Sequence, residues 1–178
     1  MRELWIDDRL TLAVLRESDA EELATAVREN LEHIGPWMPW AVKDYGLEHA
    51  REFIERNLDV DAKARSFGLF VDGEIAGCIG FVPRGEHDVA EIGYWIAHGL
   101  QGQGVVTRVV RGLIDHAFMN LGVTFVEIRA AALNLRSRAI AEKFKFELMD
   151  RVKDGHPLPN GIIDDLVVYS MHKRSWSL

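Results

Sequence analysis

The chain has 178 residues, 48% of them hydrophobic, and a formal charge of −7 at neutral pH; that is the length of one domain, with enough apolar content for a proper core. No run approaches the roughly 20 apolar residues of a membrane span, and Met1-Arg2-Glu3-Leu4-Trp5-Ile6-Asp7-Asp8 alternates charge with bulk where a signal peptide shows an apolar core, so a soluble, cytoplasmic protein without a membrane partner is expected. The acidic balance argues against nucleic acid and suits a cationic partner, while the single cysteine, Cys78 in an apolar run, permits neither an internal disulfide nor a cysteine metal site and reads as a small buried strand residue.

Leu10 to Leu15 reads as the first strand, and Ser18-Asp19 then caps a helix whose Leu23, Ala26, Val27 and Leu31 share one face before Gly35-Pro36 ends it. Beyond a tryptophan-rich turn, a second helix is expected from about Leu47 to Ala64, with Phe53, Ile54 and Leu58 on its core face. Ser66 to Val71, Glu74 to Val82 and Val89 to Ile96 read as three strands of an antiparallel meander, the first two joined by the hairpin dipeptide Asp72-Gly73. The helix after Gly102-Gln103-Gly104 carries Val106, Val109, Val110, Leu113, Ile114 and Ala117 on one side, with Thr107, Arg108, Arg111 and Asp115 largely on the other, and Gly122 ends it. Thr124 to Ala131 is the next strand, and the helical crossover predicts that it lies parallel to Val89 to Ile96. A last helix begins at Asn134, and Phe146 to Val152 with Ile162 to Met171 form a closing hairpin. The order predicts a single α+β domain over residues 1–178, a mixed sheet covered by helices.

A strand that delivers Gly102, Gln103 and Gly104 to a helix start converges free N–H groups and the positive end of the helix dipole on one point, where an anion can be held without lysine. Two familiar nucleotide motifs fail here. A mononucleotide P-loop needs a lysine and Ser/Thr pair that does not follow Gly104. A dinucleotide fingerprint from Gly102 would place Thr107 at its third glycine, after a meander and not in a first β-α-β unit.

Read from Gln101, the segment Gln101-Gly102-Gln103-Gly104-Val105-Val106 resembles the Q/R-x-x-G-x-G/A signature of the GNAT N-acetyltransferase superfamily. Ala90-Glu91-Ile92-Gly93-Tyr94-Trp95-Ile96, Asn134-x-x-Ser137, and Asn160-Gly161 followed by Asp164-Asp165 narrow the resemblance to the ribosomal-protein N-terminal acetyltransferase (RimJ/RimL-like) branch. The resemblance implies a GNAT fold, a mostly antiparallel mixed sheet with a splayed central pair of parallel strands flanked by helices. It implies acetyl-CoA as co-substrate, its pyrophosphate on main-chain N–H groups of Gln103, Gly104, Val106 and Thr107 within the turn Gln101 to Thr107 that also holds Gly102 and Val105. The pantetheine arm would lie in the splay against backbone around Ile96 and Ala97, with Asn134 and Ser137 beside it. Two positions depart from the family pattern: Val106 stands at the last Gly/Ala of the signature, and Lys145 stands where glycine precedes phenylalanine.

Transfer to an amine requires the neutral nucleophile, helped by a base, and the leaving thiolate benefits from a proton donor. By resemblance Glu91 is the candidate base acting through water; it reads equally as a carboxylate that orders the sheet or holds an arginine. The tyrosine that many members place seven residues after Asn134 is Ala141 here, so Ser137 is the candidate acid with Tyr94 second, although Asn134 and Ser137 also make an ordinary helix cap. By resemblance Trp37, Trp40 and His156 lie on loops that flank the acceptor cleft and, with Glu91, are candidate acceptor contacts, the tryptophans reading also as plugs under a turn. The remaining histidines lack metal-ligand spacing, so no metal is expected. The acceptor is expected to be a primary amine, a protein N-terminus or a small molecule, and the resemblance implies a homodimer. A non-catalytic acyl-CoA-binding module is the competing function.

Overall fold

The structure is a computed structural model that describes residues 3–58, 64–82 and 88–176. Its strands are β1 (Glu3–Trp5), β2 (Leu10–Ala13), β3 (Ser66–Val71), β4 (Glu74–Val82), β5 (Val89–Ile96), β6 (Phe125–Ala131), β7 (Glu147–Pro157) and β8 (Ile163–His172). Its helices are α1 (Ala20–Glu29), α2 (Leu31–Ile34), α3 (Leu47–Leu58), α4 (Val105–Asn120) and α5 (Leu135–Lys143). The strands form one sheet in the order β1-β2-β3-β4-β5-β6-β8-β7, antiparallel throughout except for the β5–β6 pair.

Each face of the sheet has its own core. On one face α4 buries Val109, Val110, Leu113 and Ile114, each removed from water at a gain of about 1.5–3 kcal/mol, against Leu12, Phe81, Ile92, Val126 and Ile128. On the other, α1 and α3 pack Leu23, Val27 and Ile54 against Ile75, Cys78 and Trp95. The hairpin at Asp72-Gly73 has both central residues at positive φ, 53° and 90°, the geometry that dipeptide favours. Between β3 and β4 the register passes from Leu69↔Gly77 to Phe70↔Ile75, so Ala76 is an extra residue, a bulge.

The strands β5 and β6 separate. Their register covers Val89↔Phe125, Ala90↔Val126 and Glu91↔Glu127 and stops there, while β5 runs on to Ile96 and β6 to Ala131. Each keeps its outer partner, β4 and β8 respectively, so the sheet stays continuous at one end and opens at the other. This is the splayed parallel pair that the family resemblance implies.

Several sequence expectations need correction. The first strand is β1, three residues paired to β2, in a segment where no strand was expected. The Asp19 carboxylate accepts the Arg16 N–H at 2.7 Å, so the capped turn is a short 3-10 turn at Glu17–Asp19 and α1 follows it. The expected single helix is interrupted at Asn30, whose side chain bonds the Ala26 carbonyl at 2.8 Å in place of regular continuation. Helix α3 ends at Leu58, which is 56% exposed and not a core residue; Asn57 is buried instead, and of the expected extension residues 59–63 lie outside the described set while Ala64 is not α-helical. Strand β7 begins at Glu147 and continues past Val152 to Pro157, so His156 lies in a strand opposite Asp164 and not in a loop.

Candidate active site

The glycine turn joins β5 to α4. Gly102 and Gly104 sit in the left-handed region at φ 72° and 74°, where a Cβ is strained, and a Cβ built on either meets nothing within 4 Å, so both face open space. Gly104 is the N-cap of the 16-residue α4 and no side chain caps it. Among the described residues, no acceptor takes the N–H groups of Gly102 through Thr107. These are the orphan donors of a helix start, gathered at the positive end of its dipole. Around them Gln103 Nε2 bonds the Gly99 carbonyl at 2.8 Å, Lys143 Nζ approaches Thr107 Oγ1 at 3.4 Å, and the Gln101 amide meets the ring nitrogens of His33.

From this turn a cleft of about 660 Å³ follows the opening between β5 and β6, bounded by Ile92–Ile96 on one side and Arg129–Ala131 on the other. Ala97 N–H donates to Ala76 O at 2.7 Å, and the β4–β5 register pairs Gly77 with Ile96, so hydrogen-bonded and non-bonded pairs alternate from there. The N–H and C=O of Tyr94 and Ile96 therefore point away from β4 into the opening, as an unpaired strand edge. Ala97 offers less: its N–H is engaged by Ala76, and its carbonyl already accepts Leu100 N–H at 3.1 Å.

On the cleft wall the Tyr94 hydroxyl lies 3.2 Å from both Ser137 O and Ser137 Oγ, and Ser137 N–H donates to the Asn134 side chain at 3.2 Å. Asn134 and Ser137 thus form the helix cap that their spacing suggests, and Ser137 keeps its hydroxyl for Tyr94. Burial pushes the Tyr94 phenol up to about 12 against the lowering effect of the Ser137 hydrogen bond, so it is a protonated donor at neutral pH.

Glu91 is buried at the vertex of the opening and does not line the cleft; its carboxylate is ion-paired with Arg129 Nε at 3.4 Å. Arg129 also grips Glu127 Oε2 through Nε and Nη2 at 2.9 and 2.8 Å, so one guanidinium serves two carboxylates and its own side chain faces the cleft. Trp37 and His156 line this cleft. Trp40 does not; it borders a second cavity, with its ring 5.9 Å from Tyr45 and 6.3 Å from Trp95.

Sequence reasoning missed Arg129, Arg136, Lys143 and His33 on the cleft wall. The alternation of β6, which turns Glu127 and Arg129 to the same side as Glu91, was a usable signal for the first. The others become neighbours of the turn only through folding.

A family profile described as acetyltransferase (GNAT) domain matches residues 9–147. YdaF of Bacillus subtilis is 35% identical over 175 residues, covering 96% of this chain and 95% of its own. The ribosomal-protein-serine acetyltransferase of Escherichia coli is 25% identical over 169 residues, covering 93% of each chain. Among solved structures, RimL, a ribosomal-protein α-N-acetyltransferase in complex with coenzyme A, superimposes with a TM-score of 0.89 over 98% of this chain and 99% of its own, at 22% identity, a likeness of fold.

Proposed function

The chain belongs to the GNAT acetyltransferase family, and on that premise we propose that it moves the acetyl group of acetyl-CoA to a primary amine by direct attack in a ternary complex. One observation carries the reading: among the described residues, the orphan N–H groups at the glycine turn and an unpaired strand edge on β5 open onto the same cleft. A pyrophosphate suits the first and an extended amide-bearing arm suits the second.

Gly102, Gln103, Gly104, Val105, Val106 and Thr107 are assigned to the pyrophosphate, with Gln101 buttressed by His33. Tyr94 and Ile96 backbone groups are assigned to the arm. The Tyr94–Ser137 pair stabilises the leaving sulfur. A phenol near 12 is a weaker acid than a thiol near 8.5, so the pair acts by hydrogen bonding to the developing thiolate more than by full proton transfer. Glu91, held by Arg129, is assigned to receive the amine proton through water. Cys78 supports direct attack, because burial pushes its thiol up to about 12 and leaves almost no thiolate to form an acyl intermediate.

The acceptor is assigned as a protein N-terminal α-amine, in keeping with the ribosomal-protein acceptor named for the Escherichia coli relative, or a small-molecule amine. An α-amine near 8 loses its proton far more readily than a lysine side chain near 10.4. The reading extends to a cytoplasmic homodimer, which sedimentation and fractionation test. Thiol release from acetyl-CoA with a panel of N-terminal peptides and small amines is the deciding assay. Tight coenzyme binding with no turnover of any acceptor would instead favour the acyl-CoA-binding module.

A further inference from the structure

At the glycine-turn end of the coenzyme cleft two histidines from different elements meet. His33, in α2, and His98, in the turn that follows β5, stand edge to face with ring centroids 5.3 Å apart. Asn30 fastens the arrangement, its side chain accepting the His98 N–H at 2.7 Å while donating to the Ala26 carbonyl at 2.8 Å. His33 is thereby held against the turn. Gln101 Nε2 meets both of its ring nitrogens, Nδ1 at 3.3 Å, and the two side chains line the cleft together with Gly102 and Gly104.

The surroundings of this ring keep it uncharged. Burial comes first, followed by the charge of Arg136, on α5 in the wall of the same cleft, and by that of His98. Lys143 adds a further cation on that wall, whereas Glu29 and Glu32, the carboxylates on the α1 and α2 side, are exposed and screened by water. A neutral imidazole has a bare nitrogen that accepts the Gln101 amide N–H; an imidazolium has none and can only donate. The protonation state of His33 therefore decides which end of the Gln101 amide faces it.

We propose that His33 is a coenzyme-positioning residue that takes up a proton from solvent when the pyrophosphate docks at the glycine turn, so that the protein grips its co-substrate more tightly as pH falls below neutrality. The inference deepens the acetyl-transfer reading above and rests on it. A doubly charged pyrophosphate on the N–H groups of the turn opposes the Arg136 and His98 charges, and an opposite charge nearby favours the imidazolium. Gln101 then turns its amide oxygen to the ring and releases its N–H groups. The sign follows from linkage: the free ring titrates below the ordinary imidazole value and the bound ring above its free value. Between those two values binding consumes a proton and affinity rises as pH drops, while above both the coupling vanishes.

The test uses the intact protein and dephospho-CoA, because the 3′-phosphate of the full coenzyme ionises near pH 6 by itself whereas the pyrophosphate stays doubly charged. Calorimetry near pH 6 in two buffers of different ionisation enthalpy is expected to show uptake of roughly half a proton per molecule bound, with affinity about three- to tenfold above that at about pH 8. His33→Gln keeps a partner for Gln101 but cannot titrate; it is expected to bind at about pH 8 within about threefold of the parent and to lose both the uptake and the pH dependence. His156 is the other imidazole of this wall, and uptake that persists in His33→Gln would place the proton elsewhere and overturn the proposal. Should the variant not fold, NMR of the parent protein reads the same quantity: the His33 titration midpoint is expected to rise by about half a pH unit or more when dephospho-CoA saturates, and an unchanged midpoint overturns the proposal. Binding without proton uptake would overturn it too and leave acetyl transfer standing. No binding at any pH would overturn the reading of the turn and this inference together.

Discussion

The hydroxyl of Tyr94, on β5, lies 3.2 Å from both the carbonyl oxygen and the Oγ of Ser137, at the start of α5. A phenol has one proton to give. When it donates to the carbonyl, Ser137 Oγ–H donates back to the phenol, and the two hydroxyls form a closed circuit that a new anion opens. Because the two hydroxyls act as a unit, Ser137→Ala and Tyr94→Phe should each lower kcat by about ten- to a hundredfold with KM for acetyl-CoA nearly unchanged. The double variant should be little worse than either single one. Additive losses in steady-state kinetics would refute the shared role.

At the glycine turn, Gly104→Ala separates strain from access. Among the described residues nothing lies within 4 Å of the added Cβ, so the folding cost is that of an L-residue at φ 74°, about 1 kcal/mol net. The methyl enters the open space where the anion is assigned, so the coenzyme dissociation constant should rise on the order of tenfold or more. Thermal melts and calorimetry read the two effects independently.

Lys145 adopts φ 61°, with its N–H on Glu142 O at 3.0 Å and Phe146 N–H on Ala141 O at 3.0 Å, the two bonds of a Schellman helix stop. A lysine therefore occupies a position whose backbone favours glycine, the residue of the family pattern. Lys145→Gly should stabilise the protein by about 0.5–1 kcal/mol, the relief of left-handed strain less the added freedom of the unfolded chain. Denaturant unfolding measures it.

Removing Arg129 takes one shared cation away from two carboxylates. Arg129→Leu should destabilise the protein by about 2–4 kcal/mol, because Glu91 and Glu127 stay largely buried with their shared cation gone. The further change Glu91→Gln in that background should recover part of the loss. A double-mutant cycle in urea would reveal no recovery if the pair were energetically idle.

The His33 ring is held below the ordinary imidazole value by burial first, then by the Arg136 and His98 charges. The unfolded chain takes up a proton near pH 6.5, whereas the folded chain keeps His33 neutral to lower pH. Stability contributed by this residue is therefore complete above that value and falls as pH drops toward the folded pKa. His33→Gln should flatten the decline in melting temperature over that window, leaving the part due to His116, which burial also depresses.

What the sequence made legible follows from which signals are local. The Asp72-Gly73 hairpin, the apolar stripe of α4 and the glycine pair before it are written in short spacings, and the fold reproduces them. Strand β1 was invisible because three residues at a sheet edge, with Glu3 and Trp5 exposed, carry no burial pattern. The end of α3 was misjudged because an apolar Leu58 prolonged the stripe beyond the residues that pack. At the site, the N–H cradle was readable, since it depends on backbone in sequence order. The Arg129 clamp on Glu91 was not, because it joins two strands that meet only in the folded sheet.

The separation of β5 from β6 leaves two facing strand edges inside the sheet, where most proteins tolerate none. On the proposed assignment the enzyme is a sheet short of a strand, its co-substrate supplies the missing piece, and each turnover would complete and then undo part of the secondary structure. Amide exchange at Tyr94 and Ile96 should slow when coenzyme is saturating, and resistance to proteolysis should track the cellular supply of acetyl-CoA.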